Sequence, residues 1–412
     1  MLAPTMALTP TTPTVEQYMD ALAELVVRFG ANVQPGQIVS ISSEPGKEPL
    51  TRAVTEAAYR AGAKFVEVSV FDVHVKRLRA LYADPETLDY VPPWYGERML
   101  RLGELRAATI ALTGPVAPRI MRDVDPELLG RDMLPRVRES IRVVNDRTVN
   151  WTVIPAPTEA WAELVFPDLA PDEAYARLWE QIAYVCRLDE PDPIKAWRHR
   201  MAKLANVTAK LDELALDALR FQGPGTDLTI GLFPSSRWDA AEMTTVDGIV
   251  HAPNLPTEEV FTTPDPTRVD GFVTSTKPLF ASGALITGLR VRFEGGRAVE
   301  IDADEGVETL RTLSARDEGA SRLGEVALVD RESRIGNTGT VFYDTLLDEN
   351  AASHIALGQG FDNAVEDPDE RGRINPSELH IDFMIGSDDV AVTGVHAQGR
   401  EIPLLRDGVW QI

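Results

Sequence analysis

Apolar residues in the first half of the chain occur either at helical spacing or in short continuous runs. The segment TVEQYMDALAELVVRFG has helical spacing, with Thr14 at the N-cap, Gln17 at the capping-box position and Gly30 as the predicted stop. EPLTRAVTEAAYRAGA predicts a second helix, whereas QIVSISS, KFVEVSV, AATIALTG and VNWTVIPAP are typical of buried strands. Because strands and helices alternate, we expect a mostly parallel, doubly wound α/β layer.

A long helix is predicted to join this layer to the rest of the chain. Asp192 and Pro193 suit its cap and first position, and apolar residues then recur at helical spacing as far as Leu214. We expect the helix to end at the glycines of GPG, residues 223–225. The predicted domains are therefore an α/β N-terminal domain, residues 1–221, and a C-terminal domain, residues 222–412.

Turn signals and alternating apolar residues dominate the second half, which predicts a strand-rich α+β domain. ALITGLRVRFEGGRAVEIDADEG is typical of a hairpin that turns at Gly295 and Gly296, and VAVTGVHAQGREIPLLRDGVWQI of a meander. Helix is expected mainly in GVETLRTLSA and in part of DTLLDENAASHIALG. We expect His354 to lie on that second helix.

The sequence HIDFM at residues 380–384 places an imidazole and a carboxylate two residues apart in a predicted strand. Since alternate residues of a strand share a face, His380 and Asp382 point one way and Ile381 and Phe383 the other. The polar face is either the solvent side of a half-buried sheet or part of a site.

Charge and cysteine content narrow the classes of function. The chain has 41 Lys+Arg against 64 Asp+Glu, a formal net charge of -23, which opposes binding to nucleic acid or anionic membranes. Such a charge draws divalent cations toward carboxylate-lined clefts, although a well-solvated acidic surface is the simpler explanation. Cys186, the single cysteine, lies in an apolar helical pattern and is expected to pack in the core. Residues 1–13 lack a basic start, so we expect a cytoplasmic protein without a membrane span.

Carboxylates and histidines accumulate in apolar segments of the second half. The phosphate-binding loop, the H-E-x-x-H zinc helix and the G-x-S-x-G elbow are all absent from the sequence. Lone acids in apolar strands are costly to bury unless they are paired or bound to a cation, and mixed oxygen and imidazole ligands suit zinc, cobalt or manganese. The candidates are Glu258, Glu259, Glu325, Glu349, His354, His380 and Asp382.

Each candidate also has a purely structural explanation. Glu258 and Glu259 could flank a turn, Glu325 could pair with a basic residue, and His354 could be a core histidine bonded to backbone. Four separate segments would then each need their own explanation, whereas one metal site accounts for all of them.

The same segments resemble a known family. NLPTEEVFT, DEGASRLGEVALV, TGTVFYDTLLDENAASHIALGQGF and HIDFMIGS are similar to the thermophilic metallo-aminopeptidases of the aminopeptidase T, S and II type. The resemblance implies a broad-specificity aminopeptidase that acts on peptides with a free N-terminus, a homodimer, and two divalent ions per chain in the C-terminal domain, drawn from zinc, cobalt, magnesium and manganese. The ligands it implies are Glu259, Glu325, Glu349, His354, His380 and Asp382.

The chain departs from this family at Phe361, where close relatives carry a tyrosine seven residues after the helix histidine. A phenyl ring cannot donate the hydrogen bond that a phenol offers to an oxyanion. We assign Glu325 as a bridging carboxylate and Glu258 as a candidate general base or orienting residue. Two alternatives stay open: a non-catalytic metal- or peptide-binding protein, and a metal-free hydrolase that uses two carboxylates.

Overall fold

The structure is a computed structural model that describes residues 13–132, 134–135, 137–281 and 284–412. Helices and strands alternate in its first part, as the apolar pattern predicted. In chain order the elements are α1 Val15–Leu25, β1 Ile38–Ser43, α2 Glu48–Arg60, β2 Phe65–Val70, α3 Val73–Tyr82, α4 Pro93–Glu104, β3 Ala108–Thr113, α5 Pro126–Arg131, α6 Arg138–Asn145, β4 Asn150–Pro155, α7 Glu159–Val165, α8 Pro171–Val185 and α9 Pro193–Leu214.

The first four strands form one parallel sheet in the order β2–β1–β3–β4, which confirms the predicted parallel layer. The chain winds from β1 to β2 on one side and then crosses to β3 and β4 on the other. The carboxyl end of β3 reaches the second part of the chain, where Thr113 Oγ1 donates a hydrogen bond to Asp344 Oδ2 at 2.7 Å. This edge of the sheet therefore supports the segment that precedes Glu349.

The first helix begins where the capping box was predicted. Thr14 Oγ1 accepts a hydrogen bond from the backbone N–H of Gln17, and the Gln17 side chain accepts one from the N–H of Thr14. The α-helix ends at Leu25, and one π-helical turn continues to Gly30, the predicted stop. A Cβ atom at Gly30 would lie 2.9 Å from Leu255, so a glycine is needed where the turn meets the second part.

The predicted extension of the long helix beyond Leu214 is wrong. Ala215 takes a left-handed conformation with a φ of 45°, and Leu216–Gly223 forms strand β5. The apolar residues of LDALRF fit either a buried helix or a strand, and pairing with two neighbouring strands of the second part decides between them. The domain boundary between residues 221 and 222 stays a prediction.

The second part is rich in antiparallel strands, as predicted. Its remaining elements are β6 Thr226–Leu232, β7 Asp239–Ala240, β8 Met243–Thr244, β9 Val250–His251, β10 Glu259–Thr262, β11 Pro264–Thr274, β12 Leu279–Ala281, β13 Ala284–Ile286, β14 Arg290–Glu294, β15 Arg297–Asp302, α10 Val307–Ser314, β16 Leu323–Val329, α11 Arg334–Thr338, α12 Thr345–Glu349, β17 His354–Gly358, α13 Pro368–Arg371, β18 His380–Met384, β19 Ala391–His396, β20 Glu401–Arg406 and β21 Val409–Trp410.

Two of these sheets carry most of the second part. An eight-stranded sheet has the order β15–β14–β11–β6–β5–β19–β20–β21, and it contains the predicted hairpin at Gly295 and Gly296 and the predicted C-terminal meander. A five-stranded sheet has the order β18–β17–β16–β10–β7. The expected helical position of His354 is wrong: α12 ends at Glu349 and His354 begins β17, because residues 354–358 pair on both sides with β16 and β18.

Each part has its own apolar core. One core lies around the parallel sheet and includes the buried Trp161, Trp179 and Trp197, and the other lies between the two large antiparallel sheets. Cys186 is fully buried in the first core, as predicted, and burial raises the pKa of its thiol. In the part of the chain that the structure describes, we find no helix with the length and apolar content that crossing a membrane requires.

Candidate metal centre

The five-stranded sheet brings most of the candidate ligands onto one face. Residues directly opposite each other in antiparallel strands point to the same side, and Ala356 of β17 lies opposite both Glu325 of β16 and Asp382 of β18. His354 shares that face because it lies two residues before Ala356. Glu259 of β10 pairs with Val329, four residues after Glu325, and therefore points the same way.

Small residues on this face leave room between the polar side chains. Ala327 lies opposite His354, Ala356 separates Glu325 from Asp382, and Gly358 lies opposite His380. Larger side chains at these three positions would fill the space between the candidate ligands. The sequence did not identify these positions, since a small residue in an apolar strand has no distinguishing signal.

Two groups of residues on this face lie close enough together to hold a metal ion. Glu259, Glu325 and His354 form one group, Glu325, His380 and Asp382 form the other, and the ligand atoms within each group lie within 4.8 Å of one another. Glu325 belongs to both. The Nε2 atom of His354 is 3.2 Å from Glu259 Oε2. The Nε2 atom of His380 lies 2.9 Å from Glu325 Oε2 and 3.2 Å from Asp382 Oδ1.

Both histidines are oriented through their other ring nitrogen. His380 Nδ1 lies 2.8 Å from the carbonyl oxygen of Gln359, and His354 Nδ1 lies 3.3 Å from that of Ala352. Donation from Nδ1 to a carbonyl directs the Nε2 atom toward the carboxylates, where it can bind a proton or a metal cation. This is the arrangement by which a backbone carbonyl commonly orients a metal-binding imidazole.

The electrostatics of the face show an excess of buried negative charge. Burial raises the pKa of the Glu259 carboxyl to about 7. Burial together with the Asp382 and Glu259 carboxylates raises the pKa of Glu349 well above its ordinary value of 4.5. Burial by itself lowers the pKa of His380, but Asp382 and Glu325 outweigh it and raise that pKa well above 6.5. The face therefore favours binding of protons or metal cations.

Glu349 lies beside the two groups rather than within them. It is the last residue of α12, and Asn350 Nδ2 lies 3.4 Å from its Oε1 atom. Its pKa responds to the carboxylates of Glu259, Glu325 and Asp382, which places it in the same electrostatic environment. Among the residues that the structure describes, five of the six predicted ligands thus form the two groups and Glu349 adjoins them.

Glu258 points away from this face. Its carboxylate is fully buried and accepts hydrogen bonds from Arg187 Nη2 at 2.6 Å and from Arg200 Nε at 2.5 Å. Adjacent residues of an extended chain point to opposite sides, so Glu258 and Glu259 face different partners. No sequence motif predicted these arginines, which lie 58 and 71 residues before Glu258.

Phe361 lies against the candidate ligands. Its ring centroid is 5.0 Å from that of His380, and it meets the ring of Phe261 edge-on at 5.4 Å. The backbone N–H of Phe361 donates a hydrogen bond to Thr263 Oγ1 at 2.9 Å, which fixes this loop beside β10. The ring contributes apolar packing at the edge of the face and no hydrogen-bond donor.

Comparison with known proteins finds aminopeptidases that match along nearly the whole chain. Aminopeptidase T of Thermus thermophilus is 41% identical over 403 residues, covering 96% of this chain and 98% of the relative. Aminopeptidase 2 of Geobacillus stearothermophilus is 37% identical over 409 residues, covering 96% and 98%. The solved structure of wild-type AmpT from Thermus thermophilus has a TM-score of 0.88 at 40% identity and covers 97% of this chain and 100% of that chain.

The family model of the thermophilic metalloproteases, M29, matches residues 15–410. The match spans both the parallel sheet and the strand-rich part that carries the candidate ligands. It confirms the family resemblance of the sequence segments described above. The chain belongs to the M29 family of thermophilic metalloproteases.

Proposed function

We propose that this protein is an aminopeptidase that binds two divalent metal ions on the face formed by β10, β16, β17 and β18. The observation that carries the proposal is that Glu325 is shared by two groups of ligand-type residues on one buried face. Membership of a metalloprotease family favours this function over a metal-free hydrolase with two carboxylates. Broad specificity and a cytoplasmic location stay predictions.

Charge balance supports two ions rather than one. The proposed ligands Glu259, Glu325, Glu349 and Asp382 carry four negative charges when ionised, and two divalent cations supply four positive charges. His354 and His380 add neutral nitrogen ligands through Nε2. Oxygen and imidazole donors in this mixture suit zinc, cobalt or manganese, and magnesium fits through the carboxylates.

The residues of the chain have distinct parts in this proposal. Bound cations would act as Lewis acids toward a water molecule and the scissile carbonyl. Glu325 would bridge the two positions, and the buried carboxylates would keep the cations close together. Glu258 is left out of the chemistry, because Arg187 and Arg200 already occupy both of its carboxylate oxygens.

A second candidate function is a metal- or peptide-binding protein without catalytic activity. Phe361 favours it, since the ring beside His380 has no hydroxyl group that could donate a hydrogen bond to an oxyanion. Retention of all six ligand-type residues favours an active enzyme instead. The two candidates differ in whether a peptide with a free N-terminus is cleaved.

We also propose a homodimer, supported by apolar residues on the outside of the parallel sheet. β2 is an edge strand, and its Phe65 and Val70 are 57% and 60% exposed. Val75, Tyr82 and Trp94 on the nearby helices α3 and α4 are also exposed. Exposed edge strands and large apolar patches are common sites of protein–protein contact. Sedimentation equilibrium should give twice the chain mass of 45.3 kDa, and a monomer at micromolar concentration would contradict the proposal.

The metal content of the purified protein tests the two-ion proposal. We expect two divalent transition-metal ions per chain by elemental analysis, and loss of peptidase activity on treatment with EDTA. Activity should return when zinc or cobalt is added back, because the ligands stay in place on the sheet. Full activity of chelator-treated protein that contains no metal would rule out the proposed mechanism.

Blocked peptides test the aminopeptidase assignment. Leu-p-nitroanilide and peptides with other free N-terminal residues should be hydrolysed, whereas their N-acetylated counterparts should not, since the substrate's free amine is expected to be bound beside the carboxylates. Release of p-nitroaniline and of free amino acids measures both. Cleavage of the acetylated peptides at comparable rates would mean an endopeptidase, and no cleavage of either would favour the binding-protein alternative.

Substitutions on β18 test the ligand assignment. Asp382→Asn and His380→Ala should weaken metal binding by at least about 10–100-fold, the loss that removal of even an indirect partner often causes. Ile381→Val is the matched control, because Ile381 lies between them and points to the opposite face. It should cost about 0.5–1.5 kcal/mol of stability and leave metal binding unchanged. Parent-like metal affinity in folded Asp382→Asn protein would remove Asp382 from the ligand set.

A further inference from the structure

We infer that Arg200 and Asn350 are positioning residues for three of the proposed ligand carboxylates, those of Glu259, Glu325 and Glu349. They act through one buried polar cluster that lies away from the metal face, the face of β10, β16, β17 and β18 that carries the proposed ligands. The cluster consists of Arg187, Arg200, Glu258 and Asp330, and we call it the arginine cluster. The inference rests on the proposed function. Glu258 and Asn350 are chain neighbours of the proposed ligands Glu259 and Glu349, and Arg200 binds Glu258.

Glu258 is held at all four of its polar atoms. Arg187 and Arg200 donate to its two carboxylate oxygens, Arg200 Nη2 donates to its carbonyl oxygen at 3.3 Å, and its N–H donates to Asn350 Oδ1 at 2.6 Å. Glu259 is the next residue. Because the N–H, the carbonyl oxygen and the side chain of Glu258 are all bound, the direction in which the Glu259 side chain leaves the strand is also restricted.

Arg200 ties together the two strands that carry Glu259 and Glu325. Glu259 pairs with Val329 across β10 and β16, and the next residue beyond this pair is Glu258 on one strand and Asp330 on the other. Arg200 bonds both: in addition to Glu258, its Nη2 atom donates to Asp330 Oδ1 at 3.0 Å. One guanidinium group therefore links β10 and β16 at this end of the pair.

Asn350 joins the same cluster to α12. While its Oδ1 atom accepts from Glu258, its Nδ2 atom donates to the carbonyl oxygen of Leu346 at 3.0 Å and lies 3.4 Å from Glu349 Oε1. Ser333 Oγ donates to the Asn350 carbonyl oxygen at 2.7 Å. Asn350 is fully buried, so its amide has no competing water contacts. The end of α12 is thereby fixed relative to β10.

The charges of the arginine cluster balance without a metal ion. Arg187 and Arg200 offset Glu258 and Asp330, and all four side chains are buried or nearly so. The metal face, by contrast, has an excess of carboxylates. The cluster thus provides a buried support of balanced charge for the strands that carry Glu259 and Glu325. Arg200 lies on α9, so this support couples the long helix of the first part to the ligands.

Arg200→Lys tests the inference while keeping the positive charge. A lysine ammonium cannot bond Glu258 and Asp330 together in the way that the planar guanidinium does. We expect the variant to fold but to bind metal about 10–100-fold more weakly, the usual effect of losing a group that orients ligands. The measurement is calorimetric titration of chelator-treated protein with zinc or cobalt, together with thermal unfolding of the metal-free form.

Arg334→Lys is the matched control. Arg334 on α11 also pairs with two acidic residues of the first part, Asp189 and Glu190, but it bonds neither a proposed ligand nor a chain neighbour of one. Because Asp189 and Glu190 are partly exposed, this variant should lose less stability than Arg200→Lys, and it should keep the parent's metal affinity. Equal loss of metal affinity in both variants would mean that the arginine cluster acts only through overall stability, and the inference would be wrong.

The remaining outcomes also decide the matter. Folded Arg200→Lys protein with the parent's metal affinity overturns the inference and leaves the proposed function intact, whereas a parent protein that binds no metal overturns the proposed function itself. If Arg200→Lys does not fold, Glu258→Gln replaces it, because the amide keeps the volume of the side chain but cannot accept from both arginines. The same two criteria, metal affinity and comparison with the control, then apply.

Discussion

Mutual repulsion of buried carboxylates is the constraint on which the site depends. Glu259, Glu325, Glu349 and Asp382 share one buried environment, where burial and neighbouring carboxylates raise the pKa of Glu259 and of Glu349. Charges interact more strongly there than in water, because the surrounding protein screens them less. Such a face is stable as anions only when cations lie among them. The surrounding structure has two proposed roles. It provides ligands for those cations, and it keeps the carboxylates, which repel one another, from moving apart.

The register of the strands determines which carboxylates lie on the same side of the sheet. Glu325 and Asp382 face each other across Ala356, and a shift of one residue in either strand would turn a proposed ligand to the opposite side of the sheet. Gly358 protects the register at the end of β17, where its φ is 108° and a Cβ atom would lie 2.1 Å from the carbonyl oxygen of Leu379. The site therefore depends on backbone pairing, and on the missing side chain at Gly358, as much as on its carboxylates.

Two adjacent glutamates illustrate how the protein distributes its charge. Glu258 is neutralised by Arg187 and Arg200, which makes it part of the scaffold. Glu259 faces the imidazole of His354 at 3.2 Å instead of a guanidinium group, and we propose it as a metal ligand. The same residue type thus serves as support on one side of the strand and as a proposed ligand on the other, and the difference comes from the partners that each side faces.

The sequence by itself determined the features that arise from local physics. The capping box at Thr14, the parallel layer, the hairpin at Gly295 and the alternation of His380 and Asp382 could be predicted, because each depends on residues a few positions apart. The family resemblance added the ligand set, which the pattern alone left open. Tertiary structure decided the rest. Residues 216–223 and His354 lie in strands because distant segments pair with them, although their local sequence also suits a helix. The arginines that neutralise Glu258 lie 58 and 71 residues away, Arg200 on α9 and Arg187 in the turn before it, and no local pattern encodes such contacts.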